Sequence, residues 1–160
     1  MDIRLLANQL LDAFGRMLTI DGLKLGEQDD GCVLLFEGDL ALRIEYDEPT
    51  EQLLFSLYLE TLPEERAEPL LRELLAANLY WIGTAGATLC LDSATAAILL
   101  VQAHRVSELD DARLERTVEN LLKMAERWRE RIRAHRTGAL TSDPPAPEAP
   151  LAAAGPPVYG

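Results

Sequence analysis

The sequence predicts an α+β fold: an antiparallel sheet with three helices in the order α-β-β-β-α-β-β-α. Three observations lead to it. Leu40, Leu42, Ile44 and Tyr46 alternate with Ala41, Arg43, Glu45 and Asp47, the period of a half-buried strand. Leu114, Val118, Leu121, Leu122, Ala125, Trp128 and Ile132 fall on one stripe of a long helix opened by Asp110 and Asp111. The strand signals come as a group of three and a group of two. They do not alternate one-for-one with helices, which argues against a doubly wound sheet.

Taken in order, residues 2–18 read as an amphipathic helix capped by Asp2, with Leu6, Leu10, Ala13, Phe14 and Met17 on one face. Leu5, Leu11 and Leu18 widen that stripe beyond one packing surface. Asp21-Gly22 and residues 26–31 are turn chemistry. Residues 32–37 form an apolar strand, Gly38-Asp39 a tight turn, 40–47 the second strand and 52–60 the third. Pro69 fits the first turn of the next helix, where a missing N–H is harmless. Leu70, Leu71, Leu74, Leu75, Asn78, Leu79 and Ile82 extend that helix until Gly83 and Gly86 close it. Residues 87–92 and 96–103 are the last strands, joined through Asp92-Ser93.

The folded domain is expected over 1–136 and a flexible Pro/Ala-rich tail over 137–160. That segment carries too few bulky apolar side chains to offset the entropy of ordering.

The chain carries 27 acids against 15 bases, a net charge of -12. Residues 1–109 alone hold 19 acids and 7 bases, whereas residues 110–136 hold 6 acids and 8 bases. A field of that sign repels nucleic acid and anionic membrane surfaces. No run is long and apolar enough for a membrane span, and the start has no basic-then-apolar layout, so a cytosolic protein is expected. Cys32 and Cys90 read as free thiols of a reducing compartment.

The residues give no enzyme signature. His104 is placed after the last strand and His135 at the end of the long helix, where the dipole favours a cation. No Cys or His pair has metal-site spacing, so no metal and no cofactor are expected. Gly83-Thr84-Ala85-Gly86 follows a helix, whereas a phosphate loop follows a strand and opens a helix. Asp29-Asp30 and Asp47-Glu48 lack the alternating ligands of a calcium loop and read as solvated charge.

Binding is better supported. Val33–Phe36, Leu53–Phe55 and Ile98–Val101 are apolar on both faces of their strands, although a sheet covered on one side should have a polar outer face. A core that wraps both faces is the alternative to a partner. Leu71, Leu75, Leu79, Trp81, Leu89 and Leu91 form a set suited to self-association about a two-fold axis. The first helix and the three-stranded meander offer an acid-rimmed apolar surface for an extended peptide, and an open sheet edge there accepts an added strand.

Four stretches carry a family resemblance: LLANQLLDAFG, DDGCVLLFEGDLALRIEY, LETLPEERAEPLLRELLAANLYW and GATLCLDSATAAILLVQAHRVSELDDARLERTVENLLKMAERWRERI. Over residues 1–135 they resemble the CesT-like (class I) chaperones of bacterial type III secretion. The resemblance implies a cytoplasmic homodimer, without ATPase activity, that holds the N-terminal region of a secreted effector in an export-competent state. It implies dimer contacts from Leu71–Trp81 and Thr88–Leu91, and effector contacts from Leu6, Leu10, Phe14, Val33, Leu35 and Leu54. The Pro/Ala-rich tail departs from the family pattern. A regulatory adaptor or anti-activator of the same fold, binding a cytosolic regulator, is the alternative function.

Overall fold

Residues 2–28 and 30–138 are described in a computed structural model of the chain. Asp2 caps the first helix, α1 (Ile3–Met17), its carboxylate accepting from the Leu5 amide at 3.2 Å. Arg4 pairs with Asp30 and donates to the Gly26 carbonyl at 2.8 Å, and the Asn8 side chain accepts from the Leu25 amide at 2.9 Å. These bonds tie Leu25, Gly26 and Asp30 to α1 and fix where the first strand begins.

Three strands follow, β1 (Gly31–Phe36), β2 (Leu40–Asp47) and β3 (Gln52–Thr61). The second helix, α2 (Ala67–Ala77), leads into a 3-10 turn at Leu79–Trp81. Then come β4 (Thr88–Asp92), β5 (Ala97–Arg105) and the long helix α3 (Asp111–Thr137). The sheet is antiparallel throughout, in the order β1-β2-β3-β5-β4. The expected α+β class and element order are therefore present. Gly138 ends α3 in the left-handed conformation; residues 139–160, nearly all of the expected tail, lie outside the described residues, as does Asp29.

The core sits between one face of this sheet and the helices. Leu42 faces Leu57, which faces Leu100, which faces Leu89, so four strands contribute one apolar row. Ile44, Phe55, Leu53 and Ile98 extend it, and Leu11 of α1 and Leu114, Leu121, Ala125 and Ile132 of α3 close over it. The α3 stripe is buried as its spacing predicts, with Leu122 only partly so. Among the described residues no helix is long and apolar enough to cross a membrane.

The basic half of α3 holds the helix down. Arg133 and Arg136 reach Glu60 of β3 at 2.8 and 3.5 Å, Arg129 donates to the Gly38 carbonyl in the β1–β2 turn, and Arg131 and His135 both meet Glu73 of α2.

Two expectations change, and a third gains a partner. The second helix stops at Ala77 instead of running to Gly83, because the Asn78 side chain leaves the helix for β4: it donates to the Leu89 carbonyl at 3.0 Å and accepts from the Leu89 amide at 2.8 Å. His104 lies within β5, opposite Leu53, not after the strand. His135 keeps its expected place in the last turn of α3, where it is buried and bonded to Glu73.

Candidate protein-binding surfaces

One uncovered apolar patch gathers Leu75 of α2, Leu79, Tyr80, Trp81 and Ile82 of the following turn, and Leu91 of β4. Leu75 is 71% exposed and Tyr80 78%. The backbone makes this patch at a cost. Tyr80 and Trp81 take left-handed angles, φ 53° and 55°, which bulky side chains adopt rarely and at roughly 1–3 kcal/mol each. The Trp81 indole donates to Thr88 Oγ1 at 3.3 Å, and the Trp128 indole donates to the Gly83 carbonyl at 3.1 Å. The turn is thereby pinned to β4 and α3 with its aromatic residues outward. Gly83 allows the tight return, since a Cβ there would stand 2.9 Å from the Ala77 Cβ.

A second surface runs along β1. The Asp30 carbonyl accepts from the Tyr46 amide at 2.8 Å, which sets the parity of the ladder. Cys32, Leu34 and Phe36 therefore bond β2, and the N–H and C=O groups of Val33 and Leu35 point to the open edge. Upstream, the Gly31 carbonyl is already taken by the Gly26 amide at 2.8 Å. The Val33 and Leu35 side chains lie on the sheet's outer face, Leu35 being 82% exposed. Across that face the rows run Val33–Arg43–Ser56–Val101–Thr88 and Glu45–Leu54–Ala103, with Leu99 between Tyr58 and Cys90. The outer face is a mixture of aliphatic and charged residues.

On the inner side of the same edge, a groove of about 380 Å³ opens between α1, α3 and β1. Phe14, Met17 and Leu18 of α1, Phe36 of β1, and Val118 and Leu122 of α3 supply its apolar walls, and Glu115 and Glu119 stand on its rim. A strand added to β1 would direct alternate side chains to the outer face and to this groove.

These placements sort the residues anticipated from the sequence. Leu75, Leu79, Trp81 and Leu91 come together on the α2–β4 patch, whereas Leu89 is buried in the subunit's own core and Leu71 packs partly against it. Val33, Leu35 and Leu54 share the outer sheet face. Leu6, Leu10 and Phe14 point the other way, because α1 turns that stripe toward the core; Leu10 and Phe14 are buried, and Phe14 reaches the surface only as groove wall. The exposed apolar residues of α1 and its exit are Leu5, Met17, Leu18 and Ile20. Sequence reasoning did not single out Tyr80 and Ile82 as exposed apolar residues of this patch, nor the two groove glutamates. The one available signal was Asn78, a poor helix former just before the aromatic pair.

The titratable groups read structurally. Burial pushes the His104 imidazole below the ordinary histidine range, with Arg113 adding to the effect; its ring stands edge-on to Phe55, and Nε2 lies 3.4 Å from the Thr117 hydroxyl. Asp92 is held below the usual carboxylate range by bonds from the Thr95 hydroxyl at 2.6 Å and the Ala94 amide at 2.9 Å, which build the β4–β5 turn. Burial raises the Cys90 thiol. Cys32 and Cys90 are not joined in a disulfide and lie on strands at opposite edges of the sheet. Among the described residues no group of three or more His, Cys, Asp or Glu side chains is placed to hold a metal ion.

A sequence profile of the Tir chaperone protein (CesT) family matches residues 9–129. No curated protein matches the chain. Among solved structures, a chain of the ExsC–ExsE complex superposes with a TM-score of 0.71 at 25% identity, covering 81% of this chain and 96% of that one. A chain of the HopA1–SchA chaperone–effector complex gives 0.66 at 28% identity, covering 79% and 95%. The ExoU–SpcU heterodimer from the type III secretion system of Pseudomonas aeruginosa gives 0.58 at 20% identity, covering 80% and 95%, which shows a shared fold.

Proposed function

Because the chain belongs to the Tir chaperone protein (CesT) family, we propose that it is a type III secretion chaperone, a cytoplasmic bacterial protein that binds the N-terminal region of a secreted effector and keeps it soluble and export-competent. One observation carries the reading: a subunit with a complete core of its own still leaves two separate apolar surfaces uncovered. Fully burying one such side chain contributes about 1.5–3 kcal/mol, so either surface is large enough to drive association. The likeness to a chain of a chaperone–effector complex supports a client protein as one of the partners.

The two surfaces divide the work. The α2–β4 patch faces a second copy of the chain about a two-fold axis, since an isologous contact lets one compact patch serve both subunits. The β1 edge, the outer face around Leu54 and the α1–α3 groove receive the client. Its backbone pairs with Val33 and Leu35 while its apolar side chains fill the groove and cover the outer face. Such a client stays extended, because a strand bound through its backbone cannot fold against itself. The activity is binding without bond chemistry, and it resides in residues 1–136.

The test is to mix the purified chain with the N-terminal region of a candidate effector encoded beside its gene, and to measure mass by light scattering. A stable complex of two chaperone chains with one client is expected, along with loss of that client's secretion when the gene is deleted. A monomeric protein that binds no neighbouring gene product would contradict the proposal.

A further inference from the structure

We infer that the α1–α3 groove selects its client by charge: it takes a bulky apolar side chain flanked by lysine or arginine, and Glu115 and Glu119 impose the choice. The inference rests on the client-binding reading above and adds the residues that set specificity.

Glu115 and Glu119 stand one turn apart on α3, about 6 Å along its axis, so two like charges repel across the groove rim. Between and below them, Val118 and Leu122 supply apolar wall from the same helix, and Phe36 supplies the β1 side. Among the described residues neither glutamate forms an ion pair, although Lys123 lies one turn beyond Glu119. Four cations of α3 are engaged elsewhere: Arg113 turns to Glu108, and Arg131, Arg133 and Arg136 turn to Glu73 and Glu60; among the described residues Arg116 and Lys123, exposed on the same helix, form no ion pair with either glutamate. A basic residue beside the client's anchor relieves the repulsion and pairs with both carboxylates. An acidic residue there meets two like charges, which excludes it.

Three labelled extended peptides test this, each with a phenylalanine anchor flanked by lysine, glutamine or glutamate, titrated against the full chain by fluorescence anisotropy. At low salt the lysine peptide is expected to bind about 3- to 10-fold more tightly than the glutamine peptide, and the glutamate peptide more weakly than either. The preference should disappear in E115Q/E119Q, whose exposed substitutions leave the circular dichroism unchanged, and in high salt. Met17→Asp at the groove lip should weaken all three. Equal binding of the three peptides, a preference that survives E115Q/E119Q, or binding indifferent to Met17→Asp would overturn the inference while leaving client binding intact. Failure of all three peptides to bind would also overturn it. The client reading itself falls only if the effector's N-terminal region forms no complex.

Discussion

Leu75→Ala tests the proposed self-association surface separately from the fold. The side chain is 71% exposed on the subunit, so a partner has most of it left to cover. Full burial of a leucine is worth about 1.5–3 kcal/mol, so covering the exposed part contributes roughly 1–2 kcal/mol per subunit. A two-fold axis uses the residue twice, giving about 2–4 kcal/mol per dimer. Alanine keeps the Cβ and forfeits about 1–3 kcal/mol of that, a rise in dimer Kd of roughly 5- to 150-fold. Subunit stability should move by no more than about 0.5 kcal/mol, since the substitution is on an exposed helix face. Sedimentation equilibrium over a concentration series reads the first quantity and urea unfolding the second. Leu89→Ala is the contrast: Leu89 is buried within the subunit, so about 2–5 kcal/mol should be lost from folding instead. A wild-type chain that sediments as a monomer at every concentration, or a Leu75→Ala dimer as tight as wild type, would refute the reasoning.

Asn78→Ala removes both side-chain bonds to the Leu89 backbone and should cost about 1–3 kcal/mol in urea unfolding, with the Trp81 environment shifting in near-UV circular dichroism. His104 is held neutral in the fold, so the unfolded chain binds more protons as pH falls below the ordinary histidine value; its contribution is complete above about pH 6.5 and lost as pH falls through the lowered folded value. His104→Gln should therefore show a smaller loss of stability than wild type between pH 7 and 5. Val33→Glu with Leu35→Glu places two charges on an exposed strand without touching the core, and should abolish client binding while thermal unfolding changes little.

The elements with strict periodicity were legible residue by residue. The alternation of Leu40–Asp47 and the stripe of Leu114–Ile132 each report one buried face, and local sequence is sufficient for that. The surfaces were legible in part. Leu75, Leu79, Trp81 and Leu91 were expected together and lie together, but Tyr80 and Ile82 become exposed only because Asn78 bonds a strand 11 residues away and ends the helix early. No periodicity records such a bond. The apolar stripe on α1 was visible, yet which part faces inward depends on where α3 docks, and so Leu10 and Phe14 are core while Leu5, Met17 and Leu18 are surface. The excess of arginine near the C-terminus read as a mildly basic helix; its anchoring to Glu60, Glu73 and Gly38 is a property of the assembled fold.

The most direct test is hydrogen–deuterium exchange of the chain with and without a client's N-terminal region. With client bound, the amides of Val33 and Leu35 should slow most, together with α1 and α3 around Met17 and Glu119, while the α2–β4 patch stays as protected as in the free dimer. A bound client that leaves the β1 edge exchanging as fast as before, or that protects the α2–β4 patch instead, would contradict the account.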